Sequence, residues 1–338
     1  MNEIECIFCQ IKSDRVAIEE NGYQGKRCPE CGLIYISPRP SLDEIVDLYG
    51  HNEAHIPAKV HIAASFAKRL HAKHNLSIVS SVVKSGALLE IGAGAGYFLD
   101  EARAIGYEPH GLEFNPVQAD FVRNQLQIPC EESTLDRSMF SHQKFDLVYH
   151  CDVISHFFDP IAEFKKMHEV MADESFLVFE TGNFAEVDPK YYKYISRFQY
   201  PDHLFFFSID NLRQLLDRTG FELVEKHHFS LSPQLVTLTT LSKIKSRIKK
   251  ILSSTSTVTS QTSSAKSQSA ADNLDQSDSH SQGNSQNKFG FKQRAKQLYK
   301  YIYQYTNYCL RYKLGRIAPK ANRPQTVVVV AKKKPLSA

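Results

Sequence analysis

Two groups of residues in this chain have the types and spacing to do chemistry. The first is Leu88-Leu89-Glu90-Ile91-Gly92-Ala93-Gly94-Ala95-Gly96-Tyr97. It reads as a short buried strand ending in an acid and a glycine-rich turn, which then opens a helix. Glycines let a backbone approach a ligand closely, and a strand-end acid suits a nucleotide-like cofactor at the carboxyl edge of a parallel sheet. A dinucleotide fingerprint would place its last glycine where Tyr97 stands, so the spacing argues against that cofactor. A purely structural turn is the competing reading. The second group is Cys6-x-x-Cys9 with Cys28-x-x-Cys31. Each pair can offer two thiolates from one tight knuckle, and four thiolates close a tetrahedral zinc site. A closed site leaves no position for substrate, so that zinc would be structural. Two disulfides are the alternative, disfavoured in a cytosolic chain. Cys130, Cys151 and Cys309 lack partners at ligand spacing.

The next strand-like run strengthens the cofactor reading. Glu108-Pro109-His110-Gly111-Leu112-Glu113-Phe114-Asn115-Pro116 reads as a strand ending in an acid, then a turn and a Pro-initiated helix. A carboxylate about twenty residues past the glycine turn is placed to hold a ribose diol. With Glu-x-Gly-x-Gly-x-Gly before it, the chain resembles class I S-adenosylmethionine (SAM) methyltransferases. That resemblance implies a cofactor site built from Glu90, Gly92, Gly94, Gly96, Tyr97, Glu113, Phe114 and Asp152, with Glu113 on the ribose.

The resemblance runs on through residues 75–229. Lys144 to His150 resembles the family's fourth strand, and the following stretch keeps His156, Asp159 and Pro160 but has Ser155 where an acid is usual. Phe176 to Glu180 reads as strand five and Gly220 to Val224 as strand six. Between them Ser208 caps a helix with Leu212, Leu215 and Leu216 on one face. An oxygen acceptor must lose a proton, and histidine suits that near neutral pH. His156 follows strand four, and His203 lies in the loop after strand five, which in this family often closes over substrate. One of these is expected to be the base, His203 ahead of His156; packing or capping is the alternative for each. Tyr191, Tyr192 and Tyr194 are expected to line the acceptor pocket. No second metal site is visible.

The elements that must position these groups form an α/β fold: a Rossmann-like, seven-stranded class I methyltransferase sheet. A zinc ribbon (1–40) precedes it, followed by a helical linker or lid (41–84) starting at a Ser41–Glu44 capping box. The four histidines of that linker, His55, His61, His71 and His74, are scattered around the helix circumference and are expected to be surface or capping groups, not ligands. The catalytic domain comprises 85–229 and 325–331. Gln325 to Ala331 is too β-branched for a tail and is read as strand seven, antiparallel beside strand six. Residues 230–324 then form an insertion that leaves the sheet at its ligand-binding edge.

The 338 residues carry a formal net charge of only +4, which hides a strong asymmetry. Residues 230–338 hold 19 Lys or Arg against three Asp, whereas 1–229 hold 22 basic and 34 acidic residues. Within the insertion, 253–288 is Ser, Thr, Gln and Asn with almost no large apolar residue, a composition expected to be disordered. Leu235 to Leu252 and Phe289 to Ile317 flank it as basic segments at helical spacing; alternating tyrosines leave a strand open for the second. A basic amphipathic insertion suits an anionic membrane surface, packing on the body or a second subunit, or RNA. A polar, acidic start and no apolar run of membrane-spanning length point to the cytoplasm, with peripheral contact at the inner face of the membrane.

The expected activity is methyl transfer from SAM to a hydroxyl of a small molecule, saccharide or lipid-linked acceptor. Bacterial relatives of this architecture often accompany polysaccharide biosynthesis, which favours the saccharide. The alternatives are an RNA methyltransferase gripping its substrate with ribbon and insertion, and a non-catalytic SAM-binding module. The chain lacks the Asn/Asp-Pro-Pro-Tyr/Phe signature of many base N-methyltransferases, and its intact glycine motif argues against the binding module.

Overall fold

The computed structural model describes residues 2–45, 57–195, 197–229, 297–314 and 322–335, without the side chains of Tyr194 and Leu314. His55, Leu235 to Leu252, residues 253–288 and the start of the second basic segment lie outside them. The chain divides into two compact units, Met1–Ser232 with Tyr308–Ala338, and Pro233–Asn307. The described part of the second unit, 297–307, is helical, and Leu298, Tyr299, Ile302 and Tyr303 on it are exposed.

The first unit begins with β1 (Val16–Glu20), β2 (Tyr23–Arg27) and β3 (Ile34–Ile36). The Ser41–Glu44 capping box forms, each residue's backbone amide donating to the other's side chain. Helices α1 (Ala58–Ala63) and α2 (Ser65–Val82) lead to β4 (Gly86–Ile91). Then come α3 (Tyr97–Arg103), β5 (Tyr107–Leu112), α4 (Pro116–Asn124), β6 (Cys130–Glu131) and β7 (Phe145–Cys151). Next are α5 (Pro160–Val170), β8 (Met171–Gly182), β9 (Phe205–Phe206), α6 (Ile209–Arg218) and β10 (Phe221–Phe229). The last strand is β11 (Thr326–Lys333).

Seven strands form one sheet in the order β10-β11-β8-β7-β4-β5-β6, in which β11 alone runs antiparallel to its neighbours. The chain winds outward from β4 through β5 to β6, then returns to β7 on the other side. The switch point therefore lies between β4 and β7, where ligands bind in such sheets. Alternation along the strands explains the layers. Leu88, Tyr149, Val178 and Val328 face α2, α3 and α4; Leu89, Val148, Phe179 and Val329 face α5 and α6. Val327 to Val330 are continuous valine because β11 is covered on both faces. Strand seven thus sits between strands five and six, pairing with both.

Polar residues start the helices where the sequence places them. Asn115 caps α4 ahead of Pro116, Asp159 caps α5 through the amides of Ile161 and Ala162, and Ser208 with Asn211 forms a capping box on α6. The linker histidines differ from expectation. His74 is buried among Phe229, Tyr308 and Tyr312, and His71 turns inward to the end of β8. Both lie on the stripe of α2 that faces the sheet, which a scan for a circumferential scatter overlooks. No described helix is long and apolar enough to cross a membrane.

Candidate active site

The turn after β4 is built around three left-handed glycines, Gly92 (φ 72°), Gly94 (φ 55°) and Gly96 (φ 68°). A Cβ at Gly92 would stand 2.6 Å from Val153 Cγ2, and one at Gly96 2.6 Å from Val122 Cγ2. These two are packing glycines. A Cβ at Gly94 would meet nothing closer than Gln118 Oε1 at 3.5 Å, so the turn opens outward there.

Two acids flank that opening. Glu113 is buried at the end of β5; its Oε2 accepts from the Gly94 amide at 2.6 Å and its Oε1 from the Asn115 amide at 2.7 Å. Burial raises its pKa, and the Asn115 and Gly94 amides partly offset the rise. Glu90 is buried at the end of β4, with Oε2 unpartnered among the described residues. Burial first, then the Glu113 carboxylate, push it well above the usual carboxylate range. Phe114 is half-exposed, and Asp152 sits in left-handed backbone (φ 55°), exposed at the end of β7. Tyr97 differs from the others: it is buried, and its hydroxyl donates to the Ile62 carbonyl, tying α3 to the linker helices.

The two histidines expected to handle protons come together. His156 lies on a short 3-10 turn after β7 and His203 in the segment before β9, with their rings edge-on at 4.6 Å. His156 Nδ1 is 2.9 Å from Asp202 Oδ1. One ligand atom from each of His156, Asp202 and His203 lies within 4.8 Å of the others. The Leu204 amide donates to the Ser155 carbonyl at 2.7 Å, holding the two segments together. Tyr192 packs on Phe184 and Phe198 and Tyr191 stands beside Arg323, so both are engaged in loop packing.

A third cluster was not read from the sequence. Glu180, fully buried at the end of β8, accepts from Asn75 Nδ2 at 2.7 Å and from Arg311 at 3.0 Å, with His71 Nε2 at 2.6 Å. Burial alone would raise its pKa, but His71 and then Arg311 outweigh it and bring it to about 2. Tyr312, beside Arg311, packs against His74 and His71. Arg311 and Tyr312 lie in a π-helical coil, Cys309–Leu314, so the end of the insertion closes over this carboxylate. The sequence signal was weak: His71 and Asn75, four residues apart on the stripe that also buries Ala72 and Val79.

Residues 63–226, just under half of the chain, match a protein family described as a methyltransferase domain. These residues form a methyltransferase domain. No curated protein matches the chain. Among solved structures, a SAM-dependent methyltransferase from Archaeoglobus fulgidus is 17% identical, covering 78% of this chain and 94% of its own, with a TM-score of 0.46. A protein described as a putative sarcosine dimethylglycine methyltransferase from Galdieria sulphuraria is 15% identical over 79% of this chain and 84% of its own, at 0.44. The cyclopropane synthase MmaA2 from Mycobacterium tuberculosis is 16% identical over 78% and 84%, also at 0.44.

The methyltransferase domain presents three features side by side: a left-handed turn open at Gly94, a Glu90 oxygen unpartnered among the described residues, and a Glu113 carboxylate fixed by the Gly94 and Asn115 amides. Its amino-terminal module is built from two matching knuckles. In each, the first cysteine's carbonyl accepts from the amide four residues on, at Gln10 (2.8 Å) and Gly32 (3.1 Å), both in left-handed backbone. Its amide donates to the carbonyl five residues on, at Ile11 (3.0 Å) and Leu33 (2.9 Å). Cys6, Cys9, Cys28 and Cys31 are all free thiols whose sulfurs lie within 4.8 Å of one another, Cys6 and Cys31 at 3.5 Å. A tetrahedron of sulfurs about 2.3 Å from zinc has edges of about 3.8 Å, so the set fits that ion.

This module also shapes the active edge. β3 pairs with β9, extending the small sheet into the segment that carries His203. Glu20 accepts from the amides of Phe198 and Tyr200, both at 2.9 Å, and Asn21 donates to the Tyr200 carbonyl at 2.7 Å. Arg39 stacks over Phe158 at 3.7 Å and donates to its carbonyl.

Proposed function

We propose that this chain methylates a hydroxyl of a saccharide, lipid-linked sugar or other small molecule, and that its four cysteines hold a structural zinc ion. When bound, SAM supplies an electrophilic methyl group on a sulfonium. Glu113 would bind the ribose hydroxyls and Glu90 a polar group of the cofactor at its unpartnered oxygen. The His156–His203 pair would take the proton of the acceptor hydroxyl, with His203 as the base. Asp202 would compensate the positive charge that protonation creates.

The observation that carries this reading is the convergence of His156, Asp202 and His203 after strands four and five, on the same sheet edge as the glycine turn. The zinc would fix the module whose β3 and Glu20 hold the His203 segment. Phe229 pairs with Thr326 and Thr326 with Gly182, so the chain leaves β10 at that same edge. The basic surplus beyond it favours an acceptor carried on an anionic surface, at the inner face of a membrane in the cytoplasm.

The test is transfer of radiolabelled methyl from SAM into fractionated extract of a strain lacking this gene. Label in the polysaccharide or lipid fraction that disappears with Glu113→Ala supports the proposal. Label in RNA replaces it with a nucleic-acid methyltransferase.

A further inference from the structure

The stripe of α2 that faces the sheet contains Lys68, Ala72, Asn75 and Val79, spaced so that successive residues fall one helical turn apart. Ala72, Asn75 and Val79 are buried, yet Lys68 at the amino-terminal end of the same stripe is exposed. The direction of the helix explains this. α2 ends at Val82 and leads into the start of β4 at Gly86, so its amino-terminal end lies toward the carboxyl edge of the sheet. Asn75 and His71 reach Glu180, two residues before β8 ends, and one turn further the stripe runs past the sheet. Lys68 therefore overhangs the carboxyl edge, near the switch point between β4 and β7.

The neighbouring residues leave it little freedom to serve elsewhere. Arg69 pairs with Asp100 at 2.6 Å and Glu101 at 2.7 Å on α3, just after the glycine turn. His71 is engaged by Glu180. Lys68 forms no ion pair with any described residue, while its charge acts on Glu90 and Asp152 across the edge. A cation on an inward-facing stripe, opposite two acids and beside an open glycine turn, fits a zwitterion lying between them.

We infer that Lys68 binds the α-carboxylate of the cofactor's amino-acid end, with the acids of the opposite side receiving its ammonium group. This rests on the SAM site proposed above and adds a cofactor-binding residue from outside the glycine motif. It also gives the linker helices a function: they carry a cation to the cofactor, held in place by Arg69 on one side and His71 on the other.

The experiment is titration calorimetry with the full chain, comparing S-adenosylhomocysteine with its decarboxylated analogue, which keeps the amine and loses only the carboxylate. Lys68→Met should weaken S-adenosylhomocysteine binding about tenfold or more and change the analogue's affinity less than about twofold, a coupling that isolates the carboxylate. Lys68→Arg should restore most of the loss. Equal weakening of both ligands would overturn the inference, since Lys68 would then shape the site and not the carboxylate contact. No weakening of either would overturn it as well. A wild-type chain that binds neither ligand would refute the cofactor site itself, and the two failures are thus distinct.

Discussion

The amide of Leu204 donates to the carbonyl of Ser155 at 2.7 Å, and that bond ties the loop carrying His203 to the turn carrying His156. The two histidines reach the same place from segments that follow different strands. Their juxtaposition depends on a third party, because β9 next to His203 is the edge strand of the cysteine module's sheet. The histidine pair and the amino-terminal module are in this way mechanically linked.

Substitution at the histidine pair should therefore separate chemistry from binding. His203→Gln is expected to lower kcat about 100-fold or more and leave S-adenosylhomocysteine affinity within about twofold. His156→Gln and Asp202→Asn should have smaller effects on kcat. Single-turnover kinetics with calorimetry on the same variants checks this.

Metal content and stability should move together. Elemental analysis should find one zinc per chain, and Cys28→Ser should abolish it. A structural zinc contributes on the order of 10 kcal/mol to such a module, so the variant should lose the module's fold and, with it, the order of the 198–207 segment. Hydrogen exchange would show faster amide exchange at Phe198 and Tyr200, whose amides Glu20 now holds.

The three glycines of the turn should not be equivalent. Gly96→Ala must displace Val122 in addition to bearing left-handed strain, so it should reduce stability by several kcal/mol. Gly94→Ala bears only the strain, about 1–2 kcal/mol, and places a methyl in the opening. It should fold and lose cofactor affinity, as thermal melts and calorimetry would report.

The Glu180 network predicts a pH dependence of stability. Its carboxylate has a folded pKa of about 2, below its usual 4.5. A depressed folded value means that the contribution is complete above the unfolded pKa and is lost as the pH falls from about 4.5 to about 2. Arg311→Met would leave the buried carboxylate with less compensation, costing about 3 kcal/mol at neutral pH. Its denaturation midpoint should consequently depend less on acid than that of the unaltered chain.

Much of this arrangement is legible in the sequence because it is local. Glu90 with its glycines, Glu113 before Asn115-Pro116, and the valines of β11 each announce themselves within ten residues. The cysteine knuckles are legible for the same reason. The Glu180 cluster joins residues from α2, β8 and a coil more than 130 positions beyond β8's carboxylate, and nothing local marks such a meeting. The inward placement of His71 and His74 is hard to read from the sequence because the helix's inward stripe is only partly apolar, with Asn75 and Lys68 on it. The pairing of β3 with β9 was likewise hidden, since Phe205–Phe206 is too short to carry a strand signal by itself.

Calorimetry decides whether the glycine turn, Glu90 and Glu113 hold S-adenosylmethionine as proposed. The intact chain should bind S-adenosylhomocysteine with a one-to-one stoichiometry, and Glu113→Ala, still folded by circular dichroism, should weaken binding at least about tenfold. An intact, folded chain that binds no S-adenosylhomocysteine, or a Glu113→Ala variant that binds it equally well, would contradict it.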